Sequence, residues 1–431
     1  MVNLQRSSLN VQLIKINLIS SLLLIHLLIF SHAGQLINSY KDNVPAGYRL
    51  WSVAIAHRHG DRTPVRSFPT DTYRDPTFWP DGWGQLTSVG KERMFILGEF
   101  FARYYGDFWP DNIREFYAQS SDADRCLESA YLVLAGAFRP TGPWVWSENL
   151  NWVPIAVHTV PRPRDKLLNP SVYCPNAEKE FKSIRQSVEY QDCEKKYSKL
   201  YPMLSFVTGE KIKSMEKALM IYGTLKCEKE NNLTLPLWAT DLVLENLKEM
   251  HNLKYHFRYL TKPVQRIRTG PFFKDLSSRF SPEADFDRKK SYSSLKPKKW
   301  LLFSNLLSQR SKSTRSSTAS NLDRKKVFFY STHDSMIAAI LSSLKSFDKQ
   351  NPDYGASVIF ELYRSNQNEN QQLISVYYLK DSYSENLIKL KLPFCQQSTV
   401  CEFTTFMEYI STLIPKNWYK ECGETMKQSD W

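Results

Sequence analysis

The sequence predicts an α/β protein: an open sheet flanked by helices, with a helical cap domain inserted into it. Three observations carry this. Short apolar runs rich in β-branched and aromatic residues alternate with segments of helical periodicity. Two of those runs, Val53 to Ala56 and Lys326 to Tyr330, end in charged motifs followed by a turn or a helix, and open α/β sheets place their ligands beyond the carboxyl ends of the strands. From about Leu167 to Leu260 the pattern turns mostly helical, as an inserted cap would. The organisation this predicts is a signal peptide over 1–33, an α/β core over 34–165 and 261–431, a helical cap over 166–260, and a basic insertion over 288–326. No internal repeat is found.

The elements follow in order. Arg6 and Lys15 precede the apolar run Ile16 to Phe30, and Ser31-His32-Ala33 offers small residues at a cleavage site. About fifteen apolar residues with His26 among them make a signal peptide better than a span, which takes roughly 20. The mature chain then begins near Gly34 and is secreted, and no later apolar run predicts a transmembrane anchor. Val53 to Ala56 reads as the end of a buried strand. Gly84 to Tyr105 reads as a helix capped by Thr87 or Ser88, with Met94, Leu97 and Phe101 on its core face. Glu115 to Ala118 is a brief strand; Ser120-Ser121-Asp122 is an N-cap cluster for a helix through Ala137. Asn151 to Val160 is a strand candidate on which His158 reads as a packed histidine, or one that supports a site from behind, rather than a ligand. Lys326 to Tyr330, Ser357 to Tyr363 and Leu373 to Leu379 complete the strands, with the helix "SMIAAILSSL" after the first of these.

The net charge of +13 resembles a nucleic-acid or membrane signature until it is located. Arg288 to Lys326 carries twelve Lys or Arg against the single acid Asp323, and the rest of the mature chain is close to neutral. The insertion reads as a solvated loop, with contact to an anionic surface as its sharper reading. No zinc spacing, recognition helix or aromatic-basic alternation supports nucleic-acid binding. Seven cysteines (Cys126, Cys174, Cys193, Cys227, Cys395, Cys401 and Cys422) fit an oxidising compartment, and their odd number leaves one thiol over. Asn232-Leu233-Thr234 is an N-glycosylation sequon.

The stretches "AHRHGDRTP" and "YSTHD" hold the chemistry. Arg58 and Arg62 supply forked guanidiniums suited to a phosphoryl group. Between them His59 can attack phosphorus through a neutral ring nitrogen, while Gly60 lets the backbone come close. Asp334 is a fitting general acid for the leaving alkoxide, and His333 a donor to a phosphoryl oxygen. A metal site at His57, His59 and Asp61 is the competing reading. A zinc site also wants its third ligand backed by a hydrogen-bonded partner, and the two arginines would repel a cation.

Beyond these motifs, "FPTD", "GWGQLTSVG", "SSDADRCLESA", "PIAVHTVP", "NLTLPLWAT" and "LPFC" occur in the order seen in the histidine acid phosphatases. The chain resembles that family, branch 2 of the histidine phosphatase superfamily, over nearly the whole mature length outside the basic segment. The resemblance implies a phosphoglycerate-mutase-like α/β domain, no cofactor and no metal. It also implies a two-step hydrolysis through phosphohistidine at His59, with Asp334 protonating the departing alcohol. Arg58, Arg62 and His333 match its phosphate pocket. The implied substrate is a small-molecule phosphate monoester or a phosphorylated peptide or lipid. A homodimer is left open, and the lysosomal lumen is the alternative to secretion.

Three departures stand out. A further phosphate-binding arginine is expected where this chain has Gln119, which lacks the charge and the fork; Arg125 or Arg114 could compensate. The resemblance pairs Cys174 with Cys422 and Cys395 with Cys401, but the expected partner of Cys227 is Ser357, so Cys227 finds Cys193 or Cys126 or stays free. The third departure is the basic insertion itself. Two other functions remain in view: a catalytically weak secreted binding protein or antigen with the same fold, and a phytase-like inositol polyphosphate phosphatase, which the near-neutral core disfavours.

Overall fold

The computed structural model describes residues 39–281 and 325–424. The signal-peptide reading and nearly all of the basic insertion therefore lie outside the described residues. No helix among the described residues is long and apolar enough to cross a membrane.

Among the described residues eight strands form one mixed sheet: β1 (Tyr48–Arg58), β2 (Phe116–Ser121), β3 (Val157–Val160), β4 (Val327–Thr332), β5 (Ser357–Ser365), β6 (Gln372–Leu379), β7 (Leu387–Lys389) and β8 (Cys401–Glu402). Their order is β3-β2-β4-β1-β5-β6-β7, with β8 beside β6. The half from β3 to β1 is parallel, and the half from β5 onward is antiparallel. Strand alternation divides β1 between two cores. Val53 and Ile55 face helices α1 (Ser88–Tyr105) and α2 (Asp124–Ala137) with Leu97, Phe101 and Val133. Ala54 and Ala56 face the opposite layer, where α8 (Lys262–Phe280), α9 (Asp334–Ser343) and α10 (Phe403–Ser411) contribute Phe272, Ile337 and Phe406.

Between β3 and α8 run helices α3 (Pro175–Ile184), α4 (Val188–Tyr197), α5 (Leu200–Thr208), α6 (Met215–Glu230) and α7 (Asp241–Arg258). They pack around an apolar cluster of their own, including Phe181, Tyr190, Leu204, Leu247 and Phe257. The last helix, α11 (Trp418–Cys422), is tied to the N-cap of α3 by the Cys174–Cys422 disulfide. Cys395 and Cys401 form a second disulfide; Cys126, Cys193 and Cys227 are free thiols.

Three sequence expectations change. The strand predicted from Asn151 is ordered as a strand only over Val157–Val160, where it pairs with Ala118–Ser121; Pro154 has no N–H for a longer ladder. Helix α2 is preceded by Ala123, with no side-chain cap. Ser121 is instead the last residue of β2 and is drawn to His333. His158 is exposed rather than packed inside, with its ring 5.1 Å from that of Tyr117. At α1 the cap is Thr87, which accepts from Gly90 N–H.

Candidate active site

The two charged motifs meet because β1 and β4 are adjacent and parallel, with His57 opposite Ser331 and Arg58 opposite Thr332. His59 and His333, each one residue past its strand, come edge to face with ring centroids 5.6 Å apart. Gly60 is required by the packing of the next turn. A Cβ there would lie 2.5 Å from the Gly90 carbonyl oxygen. Asp61 is fixed to α1 by a bidentate pair with Arg93, including Nη2 to Oδ1 at 3.2 Å.

His59 is buried, and its Nδ1 lies 2.8 Å from the Gly60 carbonyl oxygen. A carbonyl can only accept, so Nδ1 carries the proton and Nε2 the lone pair. Burial, then Arg125, Arg58, His333 and Arg62, push the imidazole well below its ordinary pKa. The shift favours the neutral ring, with its lone pair on Nε2. His333 is pushed down to about 3, by burial first and by Arg125 next. Its Nε2 is 3.2 Å from Ser121 Oγ, and Cys126 Sγ is 3.6 Å from its Nδ1.

Arg58 is buried and donates from Nη1 to the Pro352 carbonyl at 2.7 Å; its Nη2 is 3.6 Å from Asp334 Oδ2. Arg58 Nε and Arg125 Nε are buried N–H donors with no acceptor among the described residues, which an oxyanion would satisfy. Arg62, half-buried, donates to the Thr63 carbonyl at 2.9 Å and lies 3.5 Å from Cys227 Sγ. Asp334 opens α9, where the helix N-terminus favours a carboxylate. Burial would raise its pKa, but Arg58, Lys254 and His59 outweigh burial and hold it well below the usual range.

Gln119 is buried on β2, and its Oε1 accepts from Tyr117 OH at 2.9 Å. The structure thus ties it to Tyr117 rather than to the imidazoles. Among the described residues no group of His, Cys, Asp or Glu could hold a metal ion. Asp61 is taken by Arg93, and the buried His57 lies 3.0 Å from the Arg58 carbonyl with its ring stacked on Phe329. Asn232 is exposed, in the turn after α6. Sequence reasoning missed Tyr354, Lys254, Tyr255 and Ser121. No local motif marks the first three, and Ser121 was visible only as a helix cap.

A crevice at the parallel strand ends, with a neutral imidazole between guanidiniums and a carboxylate at a helix start, defines an enzyme that handles phosphoryl groups. The chain belongs to branch 2 of the histidine phosphatase superfamily, whose family model matches residues 49–380; it is a phosphatase. It is 31% identical over 377 residues to lysosomal acid phosphatase of Xenopus laevis, covering 86% of this chain and 78% of that one. It is 29% identical over 386 residues to prostatic acid phosphatase of Homo sapiens, covering 86% and 88%. In fold it is similar to a Hafnia alvei phytase in its apo form, with TM-score 0.60 and 15% identity over 88% of this chain and 99% of that chain. A Citrobacter braakii phytase gives 0.59 and 15%, covering 87% and 99%.

Proposed function

We propose that the protein is an acid phosphatase that hydrolyses phosphate monoesters through a phosphohistidine at His59. The observation that carries this is the 2.8 Å contact from His59 Nδ1 to the Gly60 carbonyl, which leaves Nε2 free to attack. In the first step the Nε2–P bond forms as the ester P–O bond breaks, and the Asp334 carboxyl gives its proton to the departing alkoxide. Water then attacks phosphorus as the Nε2–P bond breaks, and its proton passes by way of Asp334 to the departing phosphate, which leaves His59 neutral and Asp334 ionised. Arg58 and Arg62 hold the phosphoryl oxygens, and His333 donates to one of them. Asp334 is ionised in the free enzyme, so its proton arrives with the substrate. A phosphate whose second pKa is about 6 carries that proton in acid, which accounts for an acidic optimum.

Single phosphates fit better than inositol polyphosphates. A cleft of about 330 Å³ opens beside Arg62, lined by Phe181, Met215, Lys254 and Phe257 among others. Two further cations on its wall, Arg66 and Arg258, are paired with Glu210 and Glu178. Helices α3 to α7 act as the cap over this cleft. The disulfides and the exposed sequon at Asn232 support secretion or a lysosomal lumen.

A second reading concerns rate. Gln119 bonded to Tyr117 is a missing oxyanion donor, and such a loss costs on the order of 10²–10³. Arg125, the leading charge on both imidazoles, supplies part of it, so activity is reduced rather than abolished. The same deficit, if total, would make the chain a binding protein.

Rapid mixing with a radiolabelled phosphate ester and quenching in alkali tests the main reading. Label should appear on the peptide containing His59 and vanish in His59→Ala. Turnover without label on that peptide overturns it.

A further inference from the structure

Asp334 receives an unusual pair of neighbours from α7. Tyr255, buried, donates its hydroxyl proton to Asp334 Oδ1 at 2.8 Å. Lys254 Nζ in turn donates to Tyr255 OH at 3.2 Å, with its ammonium 4.6 Å from the ring centroid. Oδ1 also accepts from Ser335 N–H at 2.7 Å. One carboxylate oxygen is thus saturated by two donors, while the other, Oδ2, faces Arg58 at 3.6 Å. A proton added to this carboxylate goes to the oxygen with fewer donors on it.

We propose that Tyr255, backed by Lys254, is a positioning residue that locks Asp334 so that its transferable proton sits on Oδ2, the oxygen on the phosphoryl side. This rests on Asp334 being the general acid. The chain of donors is directional: the ammonium can only donate, so it turns the Tyr255 lone pair toward itself and the hydroxyl proton toward Asp334. Lys254 is half-buried and lines the cleft beside Arg62, so the lock spans from the cap to the sheet.

The pH dependence belongs to a crowded neighbourhood. Arg58 and His59 face Asp334 from the end of β1, and Lys254 and Tyr255 from α7. Tyr259 and His251 also reach it from α7. His333 adjoins it, Arg125 and Cys126 act from α2, and Arg62 from the loop after β1. Removing the Tyr255 hydroxyl takes one donor from the ionised form and raises the carboxyl pKa, while the substrate's own second ionisation still sets the alkaline limb of the pH profile.

The test compares two esters, 4-nitrophenyl phosphate, whose leaving group departs without a proton, and an alkyl phosphate such as glycerol 2-phosphate, whose leaving group needs one. Tyr255→Phe should slow the alkyl ester about tenfold more than the aryl ester, and Lys254→Met should show the same bias in smaller measure. Asp334→Ala should show the largest bias. Equal loss on both esters in Tyr255→Phe and Lys254→Met, with the bias intact in Asp334→Ala, overturns the positioning role alone. An absence of bias in Asp334→Ala overturns the general-acid reading beneath it.

Discussion

The guanidinium of Arg58 lies over the ring of Tyr354, 3.9 Å from its centroid. With the Pro352 carbonyl on Nη1 and Asp334 beside Nη2, the fork is held from three sides by groups outside its own strand. A planar cation so fixed costs no reorganisation when charge develops on phosphorus.

Arg58→Lys keeps the charge and loses the fork, the stacking and the Pro352 contact. The expected result is a fall in kcat on the order of 10²–10³, measured by steady-state hydrolysis of 4-nitrophenyl phosphate at the wild-type optimum. An unchanged rate would show that charge alone suffices.

Gly60→Ala places a methyl 2.5 Å from the Gly90 carbonyl oxygen and 3.0 Å from Met94 Cγ. The backbone on one side cannot give way cheaply, so the variant should lose about 1–3 kcal/mol in urea unfolding. Activity should fall with it, because the same loop carries His59.

Arg125→Met removes the cation that, after burial itself, depresses His59 most. The folded imidazole pKa then rises, the ring protonates sooner on acidification, and the acid limb of kcat/KM moves to higher pH. A profile that coincides with wild type below pH 5 would remove Arg125 from the site.

Glu228 is buried and its carboxyl is pushed up to about 8, by burial first and then by Asp71. Its folded pKa exceeds the unfolded one, so the stability it contributes is full in acid and is lost as pH rises from about 4.5 to 8. Glu228→Gln should therefore raise Tm by a few degrees at pH 8 relative to wild type and change it less at pH 4.5. Buried His57 works in the opposite sense. It is pushed down to about 4, so its contribution is present above the unfolded value of about 6.5 and lost as pH falls toward 4.

Gln119→Arg restores a forked cation beside Tyr117. Turnover should rise about tenfold or more; no rise would mean that Arg125 already fills the role.

Most of the sheet is legible in the sequence because its strands are apolar runs bounded by turn residues, and the parallel pairing of β1 with β4 is what turns two distant motifs into one crevice. Two site residues escape the sequence because their side chains serve distant partners. Ser121 reads locally as a helix cap, yet its hydroxyl meets His333, 212 residues away in sequence. Tyr255 carries no local signal, and only its hydroxyl reaching Asp334 reveals its part. Gln119 was visible as an anomaly, but its bond to Tyr117, two positions back on the same strand face, required the pleat.

Strand β1 has hydrogen-bonded neighbours on both edges, β4 on one side and β5 on the other. Amides in so enclosed a strand exchange with solvent only when the whole molecule opens. Warming would then not blunt this enzyme gradually: its capacity for turnover and its native architecture would disappear in a single transition.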